Sequence, residues 1–288
     1  MDCSQKMERK SFIKMAALLP FIPYSSQIEQ LLKLPGVFQP TEKMPVFFVG
    51  HGDPENAFRD NPFTQSLKKM GDDLTRKPSA ILIISGHYLT AEASYLKVPE
   101  HFNCPYYNVS GATAFGQVIP QLSEKVEVDD SNDLDHGAWA ILRHIAPEGN
   151  IPVMELSIPV GQRLDYHWDL AQHLKPLRDK GVLIIGSGNI VHNLELSLLK
   201  GVFSRNKPYS WAIEFDEWVK GRINERDFGS LFYYNNLGKI ANRAVPTTDH
   251  YIPMLYSIAL ADKNEEIHYT YEEVFSAISM RCFRIGNN

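Results

Sequence analysis

Short unbroken apolar runs alternate along the chain with longer stretches in which apolar residues recur every three or four positions. Four runs, MPVFFVG (44–50), SAILIIS (79–85), IPVMELSI (151–158) and GVLIIGSG (181–188), are rich in Val, Ile and Phe and are bounded by Gly, Pro or Ser. A run that is apolar at every position predicts a strand covered on both faces. ISMRCFRIG (278–286) predicts a fifth strand, placed at an edge, and YLKV (95–98) a further one. Helical periodicity fills the intervals. NPFTQSLKKMGDDL starts with Asn61 as N-cap and Pro62 behind it. DYHWDLAQHLKPLRDKG opens at Asp165 and closes on Gly181, with basic residues in its last turns. SWAIEFDEWVKGRINE and DHYIPMLYSIALAD carry similar faces. Strands alternating with helices predict an α/β fold, a single layered domain with a largely parallel or mixed central sheet flanked by helices. No repeat or Gly/Ser linker divides residues 44–288, and residues 1–43 read as a peripheral segment.

Composition narrows the classes. The 288 residues are 44% hydrophobic and 22% charged, which is ordinary for a globular chain able to bury a sizeable core. Net charge is −5 with a pI near 6.1, and the absence of any basic block argues against a nucleic-acid partner. Cys3, Cys104 and Cys282 are far apart, form no CxxC and are odd in number, so no disulfide framework is expected. No run approaches the roughly 18 apolar residues that span a bilayer, so no membrane partner is expected. ERKSFIKMAALLPFIP places Arg9-Lys10 ahead of a short apolar run and resembles a twin-arginine export signal with Lys10 in the second position. Pro20 and Pro23 interrupt that run, and a frayed N-terminal helix accounts for it equally well. Cytoplasmic location is the expectation, with export through this segment as the alternative. Nothing in the sequence indicates the oligomeric state.

The chemistry lies in the histidines. Ligands of open α/β sheets bind beyond the carboxyl ends of the strands. His51 follows the first run, Gly86-His87 the second, and Asn189 and His192 the fourth. Singly, each is an ordinary loop histidine. Together, on parallel strands, they meet at one sheet edge, and imidazole is the commonest side-chain metal ligand. His136 in LDHGAWAIL and His250 in TTDHYIPML stand at helix starts, where Asp135, Thr248 or Asp249 can serve as simple caps. The other five histidines read as packing or surface residues. His167 and His173 are six apart on one helix, His144 faces a core, and His101 and His268 sit in polar segments. Cys104 has no elbow or base beside it. GSGNIVHN lacks the lysine of a P-loop and the third glycine of a dinucleotide loop.

FFVGHGDPENAF, IISGHY, LDHGAW, GSGNIVHNL and DHYIPMLY occur in this order from about residue 44 onward. Together they resemble the extradiol dioxygenases of the 4,5-DOPA type, within the LigB-like class III ring-cleaving superfamily. The resemblance implies a non-haem Fe(II) enzyme that opens a small catechol such as L-DOPA with O2. By position, His51 and His87 match the family's metal ligands and His250 its third metal position. His192 matches the acid/base histidine, which some descriptions also count as a metal contact. His136 matches a pocket histidine that assists catalysis. The chain departs from the family at Asp53, where Ser is usual. Three neutral imidazoles with open positions also suit Zn(II). A zinc-dependent hydrolase and a non-catalytic metal-binding relative on the same fold therefore stand as alternatives.

Overall fold

The computed structural model describes residues 41–116, 118–199 and 207–287. The export-like or frayed segment read from the sequence lies outside the described residues. The apolar runs form β1 (Val46–Gly50), β2 (Ala80–Thr90), β5 (Val153–Pro159) and β6 (Val182–Gly188). The sheet is completed by β3 (Ser94–Lys97), β4 (Val126–Asp129), β7 (Ile267–Tyr271) and β10 (Cys282–Ile285), while β8 (Val274–Phe275) and β9 (Ile278–Ser279) make a separate hairpin.

The eight strands run in the order β4-β3-β5-β2-β6-β1-β10-β7. The central four, β5-β2-β6-β1, are parallel. Antiparallel pairing joins β3 to β5, β10 to β1 and β7 to β10, so the sheet is mixed. The expected edge strand at 278–286 divides instead. Its first residues pair with β8, and β10 lies inside the sheet between β1 and β7. On that side the edge strand is β7, IHYTY, whose half-buried residues left no apolar run to read. At the break between β9 and β10 the buried Arg281 turns inward, and its Nε donates to both Asp216 oxygens at 3.1 and 3.2 Å.

Helices cover both faces. On one face, α1 (Pro62–Asp72) and α2 (His136–Ile145) press Phe63, Leu67, Ile141 and Leu142 onto Phe47, Ile81, Ile83 and Ile185. On the other lie α3 (Leu164–Leu174) and α6 (Ile252–Ala259), with α4 (Leu194–Leu199) and α5 (Ser210–Asn224) between them in the chain. Each fully buried Leu, Ile or Phe contributes about 1.5–3 kcal/mol, which is why the central strands are apolar at every position. Helix α1 begins as its sequence implied: Asn61 and Thr64 form a reciprocal capping box ahead of Pro62. Helix α3 is shorter than its pattern. Pro176 supplies no N–H, and the chain tightens into a 3₁₀ turn over Lys175–Lys180 before Gly181. No helix among the described residues is long and apolar enough to cross a membrane.

The end of β6 anchors the loop that leads into α6. Asn189 donates its backbone N–H to the His250 carbonyl at 2.8 Å, which seats that loop against the strand end. A Cβ at Gly188 would stand 2.3 Å from that same oxygen, so the approach needs glycine. Gly188→Ala is therefore expected to cost about 1–3 kcal/mol of stability as overpacking against backbone, measured by denaturant unfolding. An unchanged midpoint would show that the loop is not held this closely.

Candidate active site

All five histidines singled out in the sequence stand around one cavity edge or directly behind it. His51 is 2% exposed and continues the β1–β6 ladder by donating its backbone N–H to the Gly188 carbonyl at 3.2 Å. The chain then turns away through Gly52, whose φ of +64° a side chain would resist. A strand end fixes His51 more firmly than a free loop would. His87 does not follow its strand, as the glycine before it implied, but lies within β2. Pairing of β2 with β6 stops at Ser85, and its register with β5 shifts between Ile84 and Leu89, which places His87 on the irregular stretch. His192 comes four residues after β6 and donates its backbone N–H to the Ala244 carbonyl at 2.9 Å. His136 is the first residue of α2, behind Asp135, whose side chain accepts from the Ala138 N–H at 3.2 Å. His250 precedes α6, and here the expected cap is corrected. Neither Thr248 nor Asp249 is the N-cap. Tyr251 takes that position without a side-chain bond, and Asp249 instead accepts from His250 Nδ1.

The hydrogen bonds fix which ring nitrogens are bare. Ser187 donates its hydroxyl to the Gly137 carbonyl at 2.6 Å, so at 3.0 Å it accepts from His51 Nδ1–H. The Asp249 carboxylate likewise holds the proton of His250 on Nδ1. The Nε2 atoms of His51 and His250 therefore carry lone pairs. Both face His87 Nε2, at 3.0 and 3.2 Å. One N–H on His87 cannot serve both, whereas a cation among the three serves all of them. Nitrogen ligands about 2.0–2.1 Å from one ion stand roughly 3 Å apart at right angles, which matches these separations. Carboxylate support behind a ligating histidine is the usual outer contact of such a centre. The donors suit Fe(II) and Zn(II) alike.

Two adjacent groups of metal-capable side chains occur here, His51 with His87 and His136, and His192 with Asp249 and His250. His87 joins them through its Nε2 contacts to both sides. Asp249 is already committed to His250, whose Nε2 faces His87 as that of His51 does. His192 stacks flat on His250, ring centroids 3.6 Å apart and 9° from parallel. The His136 ring lies 3.8 Å from that of His87. Burial, then the neighbouring imidazoles, push His51 far below the ordinary histidine range. The same causes in the same order bring His87 and His192 down to about 3. Burial also lowers His136, against the opposing pull of Asp135. Burial raises Asp249, but the bonds from His250 and Thr247 outweigh it and hold its carboxyl below the usual range.

These groups open on a cavity of about 290 Å³, walled opposite the imidazoles by Leu194, Leu198, Phe275 and Ile278. The remaining histidines stand elsewhere, as their contexts implied. His167 bonds Tyr256 at 3.3 Å, His144 donates to the Asn56 carbonyl at 2.9 Å, and His101, His173 and His268 make local contacts. The sequence pattern assigns no role to Ser187 and the wrong one to Asp249. Ser187 sits between the glycines of GSG, and its only signal is a polar residue within an apolar strand.

The chain matches the family described as the catalytic LigB subunit of aromatic ring-opening dioxygenase over residues 44–281. It is 30% identical over 272 residues to the 4,5-DOPA dioxygenase extradiol of Escherichia coli K12, covering 87% of this chain and 97% of that protein. The protein of the same name from Beta vulgaris is 30% identical over 250 residues, covering 78% of this chain and 91% of its own. A crystal structure of an uncharacterized Escherichia coli K12 protein superposes with a TM-score of 0.77 at 31% identity, covering 85% of this chain and all of that one.

His87 and His192 titrate near 3 in the fold, against about 6.5 when exposed. Between those values the unfolded chain binds more protons, so stability is lost as the pH falls through that window. The protein stripped of metal is expected to be most stable above pH 6.5 and to weaken steadily toward pH 3. Urea unfolding at stepped pH measures this, and a flat profile would contradict neutral burial of the imidazoles.

Proposed function

The chain belongs to the LigB family of aromatic ring-opening dioxygenases, which are non-haem metal enzymes, and from that premise we propose that it cleaves a catechol such as L-DOPA with O2. The observation that carries this reading is the convergence of three bare or shared Nε2 atoms beside two further imidazoles at one cavity. His51, His87 and His250 would hold Fe(II), with His192 close by, and the bound ion would bring the catechol and O2 together and supply redox chemistry.

The chain's own residues do the rest. His192 is neutral at physiological pH, so it takes a proton from a catechol hydroxyl and returns it as the ring opens. Its flat stack on His250 keeps it beside the proposed ligands. His136 offers a hydrogen bond to a substrate oxygen, and the start of α2 favours the negative charge that builds there. Leu194, Leu198, Phe275 and Ile278 pack the ring and displace water from it. Holding the ring in one pose accounts for part of the acceleration, since orientation alone removes much of the entropic barrier.

Oxygen uptake by anaerobically Fe(II)-loaded protein, with a scan for the yellow ring-opened product, tests the reaction. Uptake with L-DOPA or a simple catechol is expected, and none with any catechol in metal-replete protein would exclude the reading. His192→Ala is expected to keep its metal and lose about two to four orders of magnitude in turnover. His51→Ala is expected to lose the metal itself, as metal analysis would report.

A further inference from the structure

We propose that the Glu155 carboxyl is kept protonated and donates to Asp135, which makes Glu155 a positioning residue for His87 and His136. Its bearing on turnover rests on the ring-opening reading above, whereas its protonation does not. Glu155 interrupts the apolar run of β5, opposite Ile83 of β2 and Lys97 of β3, and is fully buried. Neither of its carboxylate oxygens has a hydrogen-bond partner, and Oδ2 of the neighbouring Asp135 has none either. Buried acceptors left unpaired are costly. Two carboxylates cannot satisfy each other, because both only accept. One proton between them supplies the missing donor and removes the repulsion of like charges. Asp135 already accepts from two donors through its other oxygen, whereas Glu155 accepts from none, so the proton sits on Glu155.

Lys97 does not replace that proton. Its Nζ stands 3.5 Å from Glu155 Oε2 but 3.1 Å from Asp133 Oδ1, and it lies over the Tyr88 ring. One ammonium thus faces Asp133 and Glu155 together, while Asp129 is occupied by the hydroxyls of Tyr88 and Ser131. Burial, then the Asp135 charge, push the Glu155 carboxyl well above the usual carboxylate range, against the smaller opposing pull of Lys97. Asp135 passes the constraint on to the histidines. Its Oδ1 accepts from the Ser85 hydroxyl at 2.9 Å and from the Ala138 N–H at 3.2 Å. Ser85 Oγ in turn accepts from the His87 N–H at 3.2 Å. The irregular stretch of β2 that bears His87 and the first turn of α2, which His136 opens, are therefore held by one carboxylate. Outer contacts of this kind typically carry about 10–100-fold in metal affinity or activity.

The test compares the full-length protein with Glu155→Gln, whose amide keeps a donor for Asp135, and Glu155→Met, which has none; Glu155→Leu serves if the Met variant does not fold. Near neutral pH the infrared spectrum of the wild type is expected to show the carbonyl stretch of a protonated carboxyl that Glu155→Gln lacks. Folded Glu155 holds its proton above the 4.5 at which an exposed carboxyl releases it. Wild type should therefore lose stability relative to Glu155→Gln as the pH rises from there toward neutral, measured by urea midpoints. Anaerobic titration with Zn(II) reads metal affinity, and oxygen uptake at saturating Fe(II) reads kcat. Glu155→Met is expected to lower Zn(II) affinity and kcat by about tenfold or more each, and Glu155→Gln to stay within about threefold of wild type. A missing band, or a Gln variant that loses stability against wild type as the pH rises, would show an ionised Glu155 paired with Lys97 and overturn the inference. Equal Zn(II) affinity in all three proteins would overturn the positioning role. The band, the midpoints and the Zn(II) titration need no turnover, so a chain that consumes oxygen with no catechol would sink the ring-opening reading and leave the Glu155 result standing on its own.

Discussion

Two bare imidazole nitrogens held 3.0 and 3.2 Å from a third are an unfavourable arrangement for the protein alone, and much of the surrounding structure serves to impose it. Ser187 can accept from His51 only because its own proton is taken by the Gly137 carbonyl. Asp249 does the same for His250 through a charge. Each device puts the proton on Nδ1 and leaves Nε2 bare, and burial then keeps the rings neutral. The lowered titration of His51, His87 and His192 is the electrostatic consequence of the same crowding, with burial as its largest cause. A cation at that point turns the mutual repulsion of lone pairs into shared coordination.

The sheet makes this convergence possible. Parallel strands β1, β2 and β6 end at the same edge, so side chains that are 36 and more residues apart in sequence come into contact. The mixed outer strands do not alter that edge. They close the flank instead, with β10 covering β1 and the β8–β9 hairpin supplying Phe275 and Ile278 to the cavity wall. The imidazoles and the apolar wall of the cavity thus come from different parts of the chain. The parallel centre carries His51 and His87, and the β8–β9 hairpin with α4 supplies the apolar wall of the cavity.

Aromatic geometry separates two kinds of histidine in the cluster. His51, His87 and His250 meet at tilted or perpendicular angles with their nitrogens pointing inward. His192 lies parallel to His250, and its ring stacks on that imidazole without joining the nitrogens that face His87. That difference in attitude is the observation on which the proposed proton-transfer role of His192 rests.

Much of this was legible in the residues themselves. Unbroken Val, Ile and Phe runs identified the central strands, because a strand covered on both faces cannot afford polar alternation. Histidines at the ends of those runs marked the edge where a ligand would sit. What the pattern could not carry was anything set by a partner distant in sequence. β7 and β4 are short and partly polar, so no periodicity announced them, and the interior place of β10 depends on β7 lying beyond it. Asp249 reads locally as a helix cap, since a short acidic side chain before a helix usually is one. Only the folded chain, with the His250 loop seated on Gly188, turns that carboxylate toward an imidazole. Residue type therefore determined which strands form and which side chains can bind a metal. The tautomers of the imidazoles and their packing on one another were decided by tertiary contacts, because each depends on which partner the fold brings within reach.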